Sequence, residues 1–134
     1  MEDFKDASER HLHDAELLFA QTPARLANAS HLFGISAECS LKAIAQKFEP
    51  TARFHGQKGH IPGLFQELQN VSQNVGNSSD LVNSIASIKP RFTNWNVSQR
   101  YALRTTFVHG TVEDERTGSK DAYLLMTNCL QGLI

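Results

Sequence analysis

Ala29-Ser-His-Leu-Phe-Gly-Ile-Ser-Ala-Glu38-Cys-Ser-Leu-Lys42-Ala-Ile-Ala45 is the stretch that decides the fold of this chain. Between Asn28 and Phe48 the only charged residues are Glu38, Lys42 and Lys47. Small and apolar residues fall on nearly every face of a helix drawn through the stretch. Such a helix is buried on several sides and must touch several neighbours. The region from about Ala24 to Phe48 is therefore expected to be the central helix, ended by Pro50.

The neighbours can be read outward from it. Phe4, Ala7, His11, Ala15, Leu18 and Phe19 recur at helical spacing, which predicts a first helix over about Asp3–Ala20. Glu2, Asp3, Asp6 and Glu9 load its start with the sign the helix dipole favours. Pro23 suits the first turn of the central helix. After a polar connection, Thr51–Gly59, the stripe Leu64, Leu68, Val71 and Val75 predicts a third helix over about Ile61–Val75. Gly76-Asn77-Ser78-Ser79 breaks it. Asp80 is a candidate cap for a short fourth helix through Ile88, which Pro90 stops. Ser98 is expected to cap a fifth helix to about Val108, with Gly110 closing it in the left-handed conformation. Glu113–Gly118 reads as a charged loop. A last helix from about Lys120 carries Ala122, Leu125, Met126, Cys129, Leu130 and Leu133. No alternating stretch competes with these signals, so the expected fold class is all-α, an up-and-down bundle of about five helices in one domain, 1–134.

Composition narrows the function. With 134 residues the chain has the size of one domain and can bury a core without staples. A net charge of -1 argues against coating nucleic acid by bulk electrostatics, though not against a local basic site. The acidic start does not read as a signal peptide, and no run of about 18 apolar residues occurs. Cys39 and Cys129 sit in apolar helical stretches and read as buried thiols. A cytoplasmic protein without membrane contact is the expectation. In that setting the Asn-X-Ser sequons at Asn28, Asn70, Asn77 and Asn96 carry no meaning.

Charge is uneven along the chain. From Leu81 to Val112 there is no acidic residue, while Lys89, Arg91, Arg100 and Arg104 fall there, interleaved with Phe92, Trp95, Tyr101 and Phe107. Guanidinium groups hold phosphates and aromatic rings stack on unpaired bases, a combination suited to single-stranded RNA. The alternative is that the rings are core and the arginines a solvated face. Within this window Arg104 and His109 pair a permanent cation with the side chain that titrates near neutrality. Five residues of regular helix turn about 500°, so the two would point roughly 140° apart. A helix ending at Gly110 would let them converge and would favour a charged imidazole there, fit for general acid–base work. Glu38 and Lys42 stand four apart in the favourable order and read as a partly buried structural pair. No histidine or cysteine spacing suggests a metal, and no phosphate loop or dinucleotide fingerprint suggests a cofactor.

The stretch Ala29–Ala43 resembles the second-helix signature of HEPN domains, His60 with Leu64 and Leu68 resembles their next element, and the Arg104–His109 spacing is similar to the motif of HEPN ribonucleases. The resemblance covers about Phe4 to Leu133. It implies an all-α homodimer in which the motif residues of two protomers line one cleft. It implies metal-independent RNA cleavage, the 2′-hydroxyl attacking the adjacent phosphate to leave a cyclic phosphate and a 5′-hydroxyl. A toxin or phage-defence role is implied, with an antitoxin or adjacent effector as partner. Arg104 would then hold the phosphate, His109 would assist proton transfer, and Thr105 would stand where active members often carry Asn, Asp or His. Thr111 occupies the place of a tyrosine modified in some toxins. Trp95-Asn-Val-Ser-Gln-Arg100-Tyr101 also resembles a signature of HEPN members that are not obviously nucleolytic. On that kinship Arg100 and Tyr101 are the functional pair, in a module that binds RNA, a nucleotide or a protein.

Overall fold

The computed structural model describes residues 2–76 and 78–134. It is an all-helical bundle of five α-helices: α1 (Phe4–Phe19), α2 (Leu26–Phe48), α3 (Gly63–Ser72), α4 (Ser79–Ile88) and α5 (His109–Leu130). No strand occurs among the described residues. Asn77, in the break expected before α4, and Met1 lie outside the described residues.

α2 is the central element, packed mainly on α1 and α5. Phe33, Ala37, Leu41 and Ile44 are fully buried along it. Small residues let α1 approach closely. Ser8 and Ser40 share a hydrogen bond of 2.6 Å, and Ser36 donates to the Ser8 carbonyl at 2.8 Å. These bonds satisfy hydroxyls that would otherwise cost free energy in a dry interface. Leu64, Phe65 and Leu68 of α3, Leu81 and Ile85 of α4, and Leu125 and Met126 of α5 complete the main core. A second core joins Leu12 and Ala15 of α1, Ala29 and Phe33 of α2, and Val112 of α5. The caps fit the elements. Asp3 accepts from the Asp6 N–H at 3.0 Å, and Gly132 (φ 76°) supplies the left-handed residue just past α5.

The segment between α4 and α5 departs from the sequence expectation. The expected helix Ser98–Val108 is absent. Two 3-10 turns, Val97–Tyr101 and Arg104–Thr106, stand in its place, joined by extended residues. Tyr101, Leu103 and Val108 are exposed there, so a helix through the segment would have no apolar face to bury. α5 starts at His109, not near Lys120, and takes in both Gly110 and the run Glu113–Gly118. The charges of that run have partners across the bundle. Arg116 binds Glu16 at 2.9 Å, Asp114 binds Arg91 at 2.8 Å, and the Glu115 carboxylate accepts from Ser30 at 2.5 Å. Two smaller shifts accompany this. Pro23 precedes α2 rather than entering its first turn, and α3 is shorter than Ile61–Val75.

Trp95 fixes the irregular segment to α2. Its indole lies against Gly34, where a Cβ would collide with the ring, and its Nε1–H donates to the Ser30 carbonyl at 2.9 Å. Gly118 plays the same part on α5, where a side chain would meet Phe92 and Arg91 of a 3-10 turn, Lys89–Phe92.

Candidate phosphate-binding cavity and its polar neighbour

A cavity of about 560 Å³ opens where the start of α2 faces the segment Gln99–Arg104. Arg25, Arg100 and Arg104 line it, and no acidic side chain does. All three arginines are exposed, and none forms an ion pair among the described residues. Arg100 lies over the Tyr101 ring, its Cζ 4.9 Å from the centroid, and Tyr101 itself is 79% exposed. No side chain caps α2, and its first internal bond runs from Ala29 N–H to the Arg25 carbonyl at 2.9 Å. The N–H groups of Leu26, Ala27 and Asn28 thus open toward the cavity end of a 23-residue helix. Fixed positive charge, the positive end of a dipole and unfilled donors converge there, the elements that hold a phosphate.

A second cavity, of about 210 Å³, shares Gln99 and Ala102 with the first. Its lining includes Ser30, Asn94, Phe107, Thr111 and Glu115. Glu115 is buried on α5, and burial raises its carboxyl from the ordinary 4.5 to about 7, opposed by the Ser30 hydrogen bond. Ser30 joins the two walls: its hydroxyl donates to Glu115 at 2.5 Å and accepts from Gln99 Nε2 at 2.7 Å. Gln99 in turn accepts from the Asn96 N–H, which closes a capping box around the turn Val97–Tyr101.

The structure distributes the sequence-predicted residues unevenly. Arg100 and Arg104 come together, with Tyr101 beside them. His109 does not join them. It is the first residue of α5, its ring 4.8 Å from that of Phe19, and it does not line the arginine cavity. It therefore sits at a helix N-terminus, and the expected support from a helix C-terminus is lost. Trp95 is buried and hydrogen-bonded to α2, so it offers no face for a base to stack on. Arg91 is engaged by Asp114, and Lys89 is exposed outside the cavity. Thr105 is exposed in the turn Arg104–Thr106.

Glu38 and Lys42 do not form an ion pair with each other among the described residues. The Glu38 carboxylate accepts from the Ile61 N–H at 2.9 Å and meets His60 Nδ1 at 3.2 Å. Lys42 lies over the rings of Phe4 and Phe54, about 5.5 Å from each centroid. Burial raises the Glu38 carboxyl, with Ile61 and His60 acting against that rise. Both cysteines are buried, and burial moves each thiol up to about 11. Among the described residues no cluster of three metal-ligating side chains forms. Among the described residues no helix is long and apolar enough to cross a membrane.

Arg25, Ser30, Gln99 and Glu115 were not singled out by the sequence. Glu115 had a signal: Val112, Glu115, Ser119, Ala122, Met126 and Cys129 keep helical spacing straight through the charged run. Arg25 had none, since only the fold brings it to the Gln99–Arg104 segment.

The chain matches no family model, no curated protein and no solved structure.

Proposed function

We propose that this domain binds single-stranded RNA, holding a backbone phosphate in the cavity formed by Arg25, Arg100 and Arg104. The observation that carries the reading is the convergence of three unpaired arginines on an uncapped helix start with no acidic side chain among them. Tyr101, exposed beside Arg100, supplies a ring on which a neighbouring base can stack. The non-nucleolytic HEPN-like reading, with Arg100 and Tyr101 as the working pair, agrees with this arrangement.

The test is binding of a mixed-sequence single-stranded RNA across a salt series. Each phosphate contact on a single strand contributes about 0.7 to the slope of log K against log salt. The triple variant R25A/R100A/R104A, which empties the site of one phosphate, should flatten that slope by about 0.7 and weaken binding at every salt concentration while its circular dichroism and melting temperature stay those of wild type. An unchanged slope in a folded triple variant disproves the reading.

A second reading, metal-independent endoribonuclease action, is favoured by one observation: Arg104 and His109 are both exposed. Within one chain they do not share the cavity, so a second copy would have to bring its His109 to the phosphate held by Arg104. Cyclic-phosphate ends formed in excess EDTA by wild type, and lost in H109A, would establish it. A folded, RNA-binding wild type that leaves the RNA intact would exclude it.

A further inference from the structure

We infer that the smaller cavity is a nucleobase subsite, in which Phe107 provides the stacking face and the Glu115 carboxyl, held by Ser30, reads the edge of the base. The inference rests on the phosphate-binding reading and adds to it the part of the ligand recognised beside the phosphate. The two cavities share Gln99 and Ala102, so one ligand can have its phosphate among the arginines and a second group behind that wall.

The lining of the smaller cavity suits a flat heterocycle. Phe107 is half-buried: it packs against the second core and also lines the cavity, which brings an aromatic side chain to the cavity wall. Asn94 brings an amide and Glu115 a carboxyl to the lining, so donor and acceptor groups are both present in it. Every nucleobase combines a π-face with an edge on which donors and acceptors are neighbours, and unpaired bases are read through both. An inorganic anion uses neither the ring nor the carboxyl, and a ribose can donate its hydroxyls to the carboxyl but has no flat π-face to lay on the ring. Glu115 Oε1 accepts from Ser30, while Oε2 has no hydrogen-bond partner among the described residues, which leaves one carboxyl oxygen for a ligand. Gln99 holds the wall between the cavities in place because its side chain is bonded at both ends, to the Asn96 N–H and to Ser30.

The experiment is an NMR titration of the full chain with inorganic phosphate, ribose 5-phosphate and the four nucleoside 5′-monophosphates. All should shift resonances around Arg25, Arg100 and Arg104. At least one nucleotide should bind about tenfold or more tightly than ribose 5-phosphate and should also move Phe107 and Thr111. F107A should abolish that advantage and leave phosphate binding unchanged. E115Q, which keeps the shape of the side chain but replaces one acceptor with a donor, should change the ranking of the four bases. If ribose 5-phosphate binds as well as every nucleotide, the base subsite is wrong and the phosphate site stands. An unaltered base ranking in E115Q removes Glu115 from recognition. If neither phosphate nor any nucleotide binds, both readings fall together.

Discussion

α2 and the segment Val97–Val108 are opposite solutions to placing a backbone. α2 hides small side chains between two neighbouring helices and satisfies its buried hydroxyls through Ser8, Ser36 and Ser40. The segment Val97–Val108 contains no buried residue, exposes Tyr101, Leu103 and Val108, and is tied to α2 by the Gln99–Ser30 hydrogen bond and, just before it, by Trp95. The cationic side chains of the candidate site lie on the second kind of backbone and at the very beginning of the first. Stability and ligand contact therefore reside in different places, and substitutions should separate them.

The sharpest break comes from paired truncations. Phe33→Ala opens a cavity in the fully buried second core and should cost about 3–5 kcal/mol by denaturant unfolding. Leu103→Ala, 75% exposed, should stay within about 0.5 kcal/mol of wild type. A costly Leu103→Ala would mean that the segment is covered in solution.

The next effect is pH-dependent. The folded state raises the Glu115 carboxyl from 4.5 to about 7, so the protonated form is favoured by folding. Its contribution is complete below pH 4.5 and is lost as pH rises through about 7, a change of roughly 2–3 kcal/mol. Glu38 acts with the same sign. His11 and His31, both lowered first by burial, act in the opposite direction, penalising the fold as pH falls. The Glu115 part is isolated as the difference between wild type and E115Q. The variant should gain in melting temperature relative to wild type between pH 4.5 and 7.5, and a pH-independent difference would refute the assignment.

The smallest change concerns the joint between the two regions. Ser30→Ala leaves Glu115 and Gln99 without their common partner and should cost about 1–2 kcal/mol. It should also loosen the turn Val97–Tyr101, visible as faster amide exchange at Gln99 and Arg100.

The contrast between the regions also explains what could be read from residues alone. α1, α2 and α4 were legible because their apolar spacing and their packing agree: a buried stripe leaves a periodic trace. Val97–Val108 mimics such a trace with Tyr101, Leu103, Phe107 and Val108, yet three of the four face solvent, so the periodicity had no core behind it. α5 erred the other way. Its charged run looked like a loop because the partners of Asp114, Glu115 and Arg116 sit on other elements: Arg91, Ser30 and Glu16. Arg100 and Arg104 were legible as cations in an acid-free window. Arg25 joins them only through tertiary contact, and no local pattern records that.

Trp95 has a use beyond anchoring. It is the sole tryptophan of the chain, and its indole N–H is bonded to the residue whose hydroxyl spans both cavity walls. Any ligand that displaces Gln99 must disturb Ser30, and through it the dipoles around the indole. The molecule thus carries a label-free optical reporter. Filling the smaller cavity, which Ser30 lines, should shift the emission of a fluorophore that lines neither cavity.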